Sequence, residues 1–240
     1  MSSSVSSRAG MKTYTIIPAG GKGKRSGTKI PKQYLKINGK ELIVYTLEVF
    51  QKNNLVDEII ISAESGYHKK LGSLVKKYKL SKVSLIVEGG KERQDSVYNA
   101  LLSLHSLSDK DLIAVHDAAR PLLPQTVLTN ALMTAKKKGN AVVCIKAKDT
   151  LVKGKDKIEE YLNRNEVYYV QTPQVFRYKD LKKAMDAAYN ENYYGTDESM
   201  LVNRIGVKIN IVEGSVFNFK VTSKDDVEML KRCSKQIIFK

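Results

Sequence analysis

This 240-residue sequence predicts an α/β domain built on a mostly parallel sheet, and three observations carry the prediction. Short β-branched apolar runs alternate with longer segments whose apolar residues recur at helical spacing. The runs, such as Glu58-Ile59-Ile60-Ile61-Ser62, are continuous instead of alternating, as in strands covered on both faces by crossover helices. Glycine-rich or charged loops follow several of these runs, at the edge where open α/β sheets gather ligands.

The first strand is Tyr14 to Ile17, which breaks at Pro18. The loop that follows holds Ala19, Gly20, Gly21, Gly23 and Gly27 together with Lys22, Lys24, Arg25, Lys29 and Lys32. Glycine lets backbone N–H groups approach an anion without a Cβ in the way, and the interleaved cations add full charges to those dipoles. The loop therefore reads as a polyphosphate cradle. A flexible surface turn has the same composition, but the stiff Ile30-Pro31-Lys32-Gln33 step holds a lysine in place and favours the cradle.

Next, Leu42, Tyr45, Thr46, Val49 and Phe50 mark a helix, and Glu58 to Ser62 a buried strand. An amphipathic helix over Tyr67 to Leu80 leads to the strand Val83 to Glu88, closed by Gly89-Gly90. A helix over Asp95 to Ser106 presents Val97, Leu101 and Leu104 on one face. The strand Leu112 to Val115, a helix over Val127 to Lys138 and the strand Ala141 to Ile145 complete the alternation, which implies right-handed crossovers. Residues 146–171 are too polar for a core and read as two short strands about the turn Lys153-Gly154-Lys155-Asp156. Asp197 and Glu198 read as caps of a helix beginning at Ser199. A last strand and loop through Lys220 precede a helix opened by Thr222 to Asp226.

The composition narrows the partners. Lys and Arg number 41 against 25 Asp and Glu, a formal charge of +16, but the lysines are spread along the chain and show no zinc-finger spacing or aromatic-glycine RNA signature. An anionic small substrate accounts for the charge better than nucleic acid does. No apolar run approaches ~20 residues, so no transmembrane helix and no membrane role are expected. Residues 1–10 are serine-rich and lack an apolar signal segment, so they read as a flexible tail ahead of a single domain over 11–240. Cys144 and Cys233 share no metal-ligand spacing with His68, His105 or His116, and Cys144 sits in an apolar run; a cytoplasmic, reducing compartment fits.

Three polar loops, 18–32, 89–96 and 116–121, fall after strands that should lie side by side. Taken singly, each has a plain reading: Asp95 or Ser96 caps a helix, Asp117 pairs with Arg120, and His116 is a structural strand-end histidine. Their meeting on one edge points to a site.

The motifs PAGGKGKR, PKQYL, EGGKERQDSV, VHDAARP, QTPQVF and TDES with VEGSVFNFKVT occur in this order over about residues 13 to 230. They resemble the 2-C-methyl-D-erythritol 4-phosphate cytidylyltransferases of the non-mevalonate isoprenoid pathway, and the related ribitol 5-phosphate cytidylyltransferases share most of them. The resemblance implies a Rossmann-like, glycosyltransferase-A-like nucleotidyltransferase that uses CTP, a polyol phosphate and Mg²⁺ and yields a CDP-polyol and pyrophosphate. It also implies a homodimer in which a β-hairpin arm at 146–171 embraces the second subunit. By the same resemblance Arg25 and Lys32 are catalytic. Pro18, Ala19, Gly20, Gly21, Gly23, Gly89, Gly90, Lys91, Arg93, Ser96 and Asp117 take CTP. Asp117, Arg120, Arg164, Thr172, Thr196 and Lys220 take the polyol phosphate, and Asp117 is a metal ligand in a shell supplied mainly by CTP phosphates. Phe217 departs from members with a polar or acidic residue there, which puts that shell in question. Gly20 matches the Ala-Gly-Gly of the ribitol enzymes, while VHDAARP and TDES lean toward the isoprenoid enzyme.

Overall fold

The computed structural model describes residues 10–21 and 30–237, with side chains through residue 233. Gly23 and Arg25 lie outside the described residues, as does the expected tail apart from Gly10. In chain order the strands are β1 (Thr13–Pro18), β2 (Lys36–Ile37), β3 (Lys40–Glu41), β4 (Glu58–Ala63), β5 (Val83–Glu88), β6 (Leu112–Val115), β7 (Asn140–Lys146), β8 (Leu151–Gly154), β9 (Ile158–Leu162), β10 (Tyr168–Arg177) and β11 (Ile211–Glu213). The helices are α1 (Leu42–Gln51), α2 (His68–Lys77), α3 (Arg93–Leu102), α4 (Gln125–Lys138), α5 (Tyr178–Asn190), α6 (Glu198–Arg204) and α7 (Lys224–Ile237).

Seven strands form the main sheet in the order β11-β7-β10-β6-β1-β4-β5. β1 pairs parallel with β4 and β6, and β4 with β5, as the alternation predicts. Successive residues Ile16 and Ile17 are both fully buried, on opposite faces, which is why the strand sequences are continuous apolar runs. One face packs on α1, α2 and α4 through Leu47, Leu71 and Leu128; the other packs on α3, α5 and α6 through Val97, Met185 and Leu201. α4 ends at Gly139 in the left-handed region (φ 93°), the usual glycine exit from a helix.

The sequence pattern missed three elements or boundaries. The pair β2–β3 turns on Asn38 and Gly39, both at positive φ, the two-residue hairpin signal. α3 starts two residues before Asp95, which reaches back so that its Oδ2 accepts from Glu92 N–H at 2.9 Å. β10 is the largest difference: it lies antiparallel between β6 and β7 although its motif holds Gln171, Thr172, Pro173 and Gln174. Those buried polar groups are satisfied across the fold: Gln171 donates to Ser215 O (2.9 Å), and Gln174 Oε1 accepts from Ser199 N–H (2.8 Å).

β8 and β9 form a separate antiparallel pair, as predicted, with the turn shifted to 155–157. Tyr161 at its end is 69% exposed. Among the described residues no helix is long and apolar enough to cross a membrane.

Candidate active site

The site grows from the carboxyl ends of β1, β5 and β6. At the end of β1, Ala19 N–H still donates to Ser62 O (2.7 Å), extending the ladder to β4, while its carbonyl turns out of the sheet. After β5, Gly89 N–H donates to Ala63 O (2.8 Å). Gly90 N–H then donates to Ser96 Oγ (3.0 Å), which donates in turn to Glu92 O (3.1 Å). Ser96 is thus a brace in the first turn of α3 and not its cap. A Cβ on Gly90 would lie 2.0 Å from the Asp95 Cβ, so this loop closes on the helix only with glycine. Cβ atoms on Gly20 and Gly89 would each sit 3.4 Å from Ser96 Oγ, so the loops after β1 and β5 come together on one hydroxyl.

Beyond β6, His116 is fully buried, with Nδ1 3.0 Å from Thr172 Oγ1 and Nε2 3.2 Å from Arg120 O. Burial lowers its pKa to about 4, leaving a neutral ring that ties β6 to β10. Asp117 N–H donates to the same Thr172 hydroxyl (3.1 Å). The Asp117 carboxylate, 7% exposed, is ringed by cations: Arg93 Nε lies 3.1 Å from Oδ1, and Lys220 Nζ (3.1 Å) and Arg120 Nε (3.2 Å) meet Oδ2. Burial alone would raise this carboxyl, but Arg93, Lys220 and Arg120 outweigh it and hold the group far below the usual carboxylate range. Arg93 also pairs with Glu198 at 2.6 Å, and Glu198 is only 1% exposed.

Most predicted residues therefore meet. Pro18, Ala19, Gly20, Gly21, Gly89, Gly90 and Ser96 line two facing loops, and Lys32 opens the short 3-10 turn beside the first loop. Lys91 is exposed on the second. Asp117, Arg120, Thr172 and Lys220 form one cluster that Arg93 joins to the second loop. Thr196 lies on an exposed bend tied to α3, since Gly195 N–H donates to Gln94 Oε1 (2.9 Å). Arg164 stands apart on the arm and donates to Lys148 O (3.0 Å).

The sequence reading placed Glu198 as a cap, but only Asp197 caps α6, accepting from Met200 N–H at 2.9 Å. Glu198 turns inward because Arg93 supplies the charge it needs; Gln94 and Asn218 were likewise missed. Asn218 Nδ2 donates to Thr172 O (2.7 Å) while its own carbonyl accepts from Arg120 (2.7 Å). The adjacent Phe217 is exposed and adds no charge to the cluster.

A mostly parallel sheet with two glycine loops and a cation cluster at its carboxyl edge defines the chain as a nucleotidyltransferase. The family model described as 2-C-methyl-D-erythritol 4-phosphate cytidylyltransferase matches residues 13–232. The enzyme of that name from Thermotoga neapolitana is 39% identical over 221 residues, 92% of this chain and 96% of the relative; that from Clostridioides difficile is 37% identical over 90% of this chain and 91% of its own. The crystal structure of the Francisella tularensis enzyme superposes with a TM-score of 0.79 at 32% identity, covering 92% of this chain and 99% of that one. The chain belongs to the 2-C-methyl-D-erythritol 4-phosphate cytidylyltransferase family, whose members are cytidylyltransferases of isoprenoid precursor synthesis.

Proposed function

We propose that this chain, as a single domain over residues 11–240, transfers CMP from CTP to 2-C-methyl-D-erythritol 4-phosphate, using the residues assembled above. The meeting of the Gly20 and Gly89 loops on Ser96, one arginine away from the Asp117 cluster, is the observation that carries the reading. It supports a nucleotide site beside a site for a second phosphate. Gly89, Gly90 and Ser96 read the cytosine, with Lys91 at the rim; the close approach of Gly90 to Asp95 supports a tight backbone wall that favours a pyrimidine. Pro18 to Gly21, with Gly23, surround the triphosphate.

A phosphate oxygen of the polyol attacks the α-phosphorus of CTP; that P–O bond forms as the bond to the pyrophosphate oxygen breaks. Both reactants are anions, so the chief tasks are alignment and charge cancellation. Lys32 and Arg25 stabilise the charge on the α-phosphate in the transition state. Arg120, Lys220, Thr172 and Thr196 hold the polyol phosphate, and Asp117 orients its hydroxyls while keeping the cations spread.

The described residues do not form a dedicated metal centre. Asp117 is already neutralised by three cations, and the described residues contain no group of three His, Cys, Asp or Glu that could hold an ion. A Mg²⁺ ion, when bound, would be held mainly by triphosphate oxygens and water and would supply charge neutralisation there.

The arm at 146–171 pairs two subunits and carries Arg164 to the partner's polyol phosphate. The exposed apolar side chains Val152, Ile158, Tyr161 and Tyr169 on it support this reading. Both cysteines are free thiols, in keeping with a cytoplasmic setting.

Pyrophosphate release from CTP and Mg²⁺ is to be measured with methylerythritol phosphate and ribitol 5-phosphate side by side. Release with the first is expected; preferential release with ribitol 5-phosphate, or release with neither, overturns the reading.

A further inference from the structure

Gln33 lies in the middle of the Lys32–Tyr34 turn with its side chain 4% exposed. Its Nε2 donates to two carbonyls of the loop after β1, Ala19 O at 2.5 Å and Gly21 O at 3.1 Å. Both neighbours are acceptors, so the side chain must present its nitrogen there, and no flipped orientation satisfies them. Ala19 is thereby split between two tasks: its N–H stays in the sheet with Ser62 O, and its carbonyl is drawn toward Gln33.

The consequence follows from peptide geometry. In a trans peptide the N–H points opposite to the C=O of the same plane. Drawing the Ala19 carbonyl toward Gln33 aims the Gly20 N–H the other way, off the face that Gln33 covers. A backbone that must offer amides to a polyphosphate needs its carbonyls turned away, because a carbonyl oxygen repels an anion. The turn that carries Gln33 is itself fixed: Pro31 O accepts from Tyr34 N–H (2.9 Å), and Tyr34 stacks on Tyr67 with ring centroids 4.2 Å apart. Lys32 precedes Gln33 on that turn, so one side chain sets the spacing between loop amides and lysine.

We propose that Gln33 is a positioning residue that draws the Ala19 and Gly21 carbonyls of the loop after β1 toward itself, so that the Gly20 amide faces the triphosphate, and locks that stretch to the turn bearing Lys32. This rests on reading the loop as a triphosphate cradle. Methionine at position 33 keeps the shape and removes both donors; asparagine keeps an amide one methylene short of the carbonyls.

The test compares wild type, Gln33→Met and Gln33→Asn by equilibrium binding of CTP, of inorganic tripolyphosphate and of cytidine, which has no phosphate, and by the KM for CTP. In the variants the dissociation constants for CTP and tripolyphosphate should rise on the order of tenfold to a hundredfold, with KM for CTP rising alongside, while that for cytidine stays within about twofold. An equal loss for cytidine and CTP would mean general loosening and would overturn the proposal, as would unchanged tripolyphosphate binding in a folded variant. If Gln33→Met does not fold, Gln33→Asn decides by the same comparison. A wild-type protein that binds tripolyphosphate but turns over no CTP refutes the cytidylyltransferase reading and leaves the role of Gln33 measurable. One that binds neither CTP nor tripolyphosphate overturns both.

Discussion

Replacing Asp117 by asparagine keeps the volume of a buried side chain and removes its charge. Arg93, Arg120 and Lys220 then lose their shared carboxylate, and among the described residues Glu198 remains paired with Arg93. Losing one partner of a buried pair costs about 3–5 kcal/mol; the Lys220 side chain is 37% exposed and water screens its share, so the lower figure, about 3 kcal/mol, applies. With a urea m value of about 2–3 kcal/mol per M, the unfolding midpoint at pH 7 should fall by about 1 M. The pH dependence carries a definite sign. The folded-state pKa of Asp117 is depressed, so its stabilisation is present above the unfolded value near pH 4 and is lost as pH falls toward the folded one. The gap between wild type and Asp117→Asn should therefore narrow below about pH 4. A midpoint shift under about 0.3 M at pH 7, or a gap that does not change on acidification, would refute the picture of a buried, cation-held carboxylate.

Lys32→Ala should lower kcat on the order of 10² to 10³ with an unchanged unfolding midpoint, and an unchanged kcat would remove Lys32 from the transition state. His116→Gln should abolish one limb of the stability profile. Because the folded pKa is lowered to about 4, the unfolded chain binds the extra proton between about pH 6.5 and 4, and wild type should lose about 3 kcal/mol as pH falls through that window. Urea midpoints at several pH values read this slope, and its persistence in the variant would assign it elsewhere. Mixed dimers of Arg164→Ala and Lys32→Ala chains should regain activity that neither homodimer has; verified mixed dimers without activity would rule out a site shared through the arm.

Much of this architecture was legible because its signals are local. The apolar runs at Ile16-Ile17 and Ile59 to Ile61 report strands covered on both faces, and the period of α1 and α3 reports helices, since each depends on neighbouring residues in the chain. The glycine loops were legible for the same reason. β10 was not: Gln171, Thr172 and Gln174 become strand residues only because partners such as Ser215 and Ser199, dozens of positions away, satisfy them. Glu198 looked like a cap until Arg93, 105 positions earlier, turned it inward.

The sequence by itself determined most of the strand and helix order, the glycine-rich loop after the first strand, and the family. Only the tertiary structure decided which groups face one another: that Ser96 holds the Gly90 amide where the two glycine loops meet, that Arg93, Arg120 and Lys220 pair with Asp117, and that Gln33 grips the Ala19 and Gly21 carbonyls of the loop after β1. Periodicity and glycine content act within a few residues and survive in a one-dimensional reading. The burial of a polar side chain depends on the partners that folding brings to it, and those are set by the packing of the whole sheet.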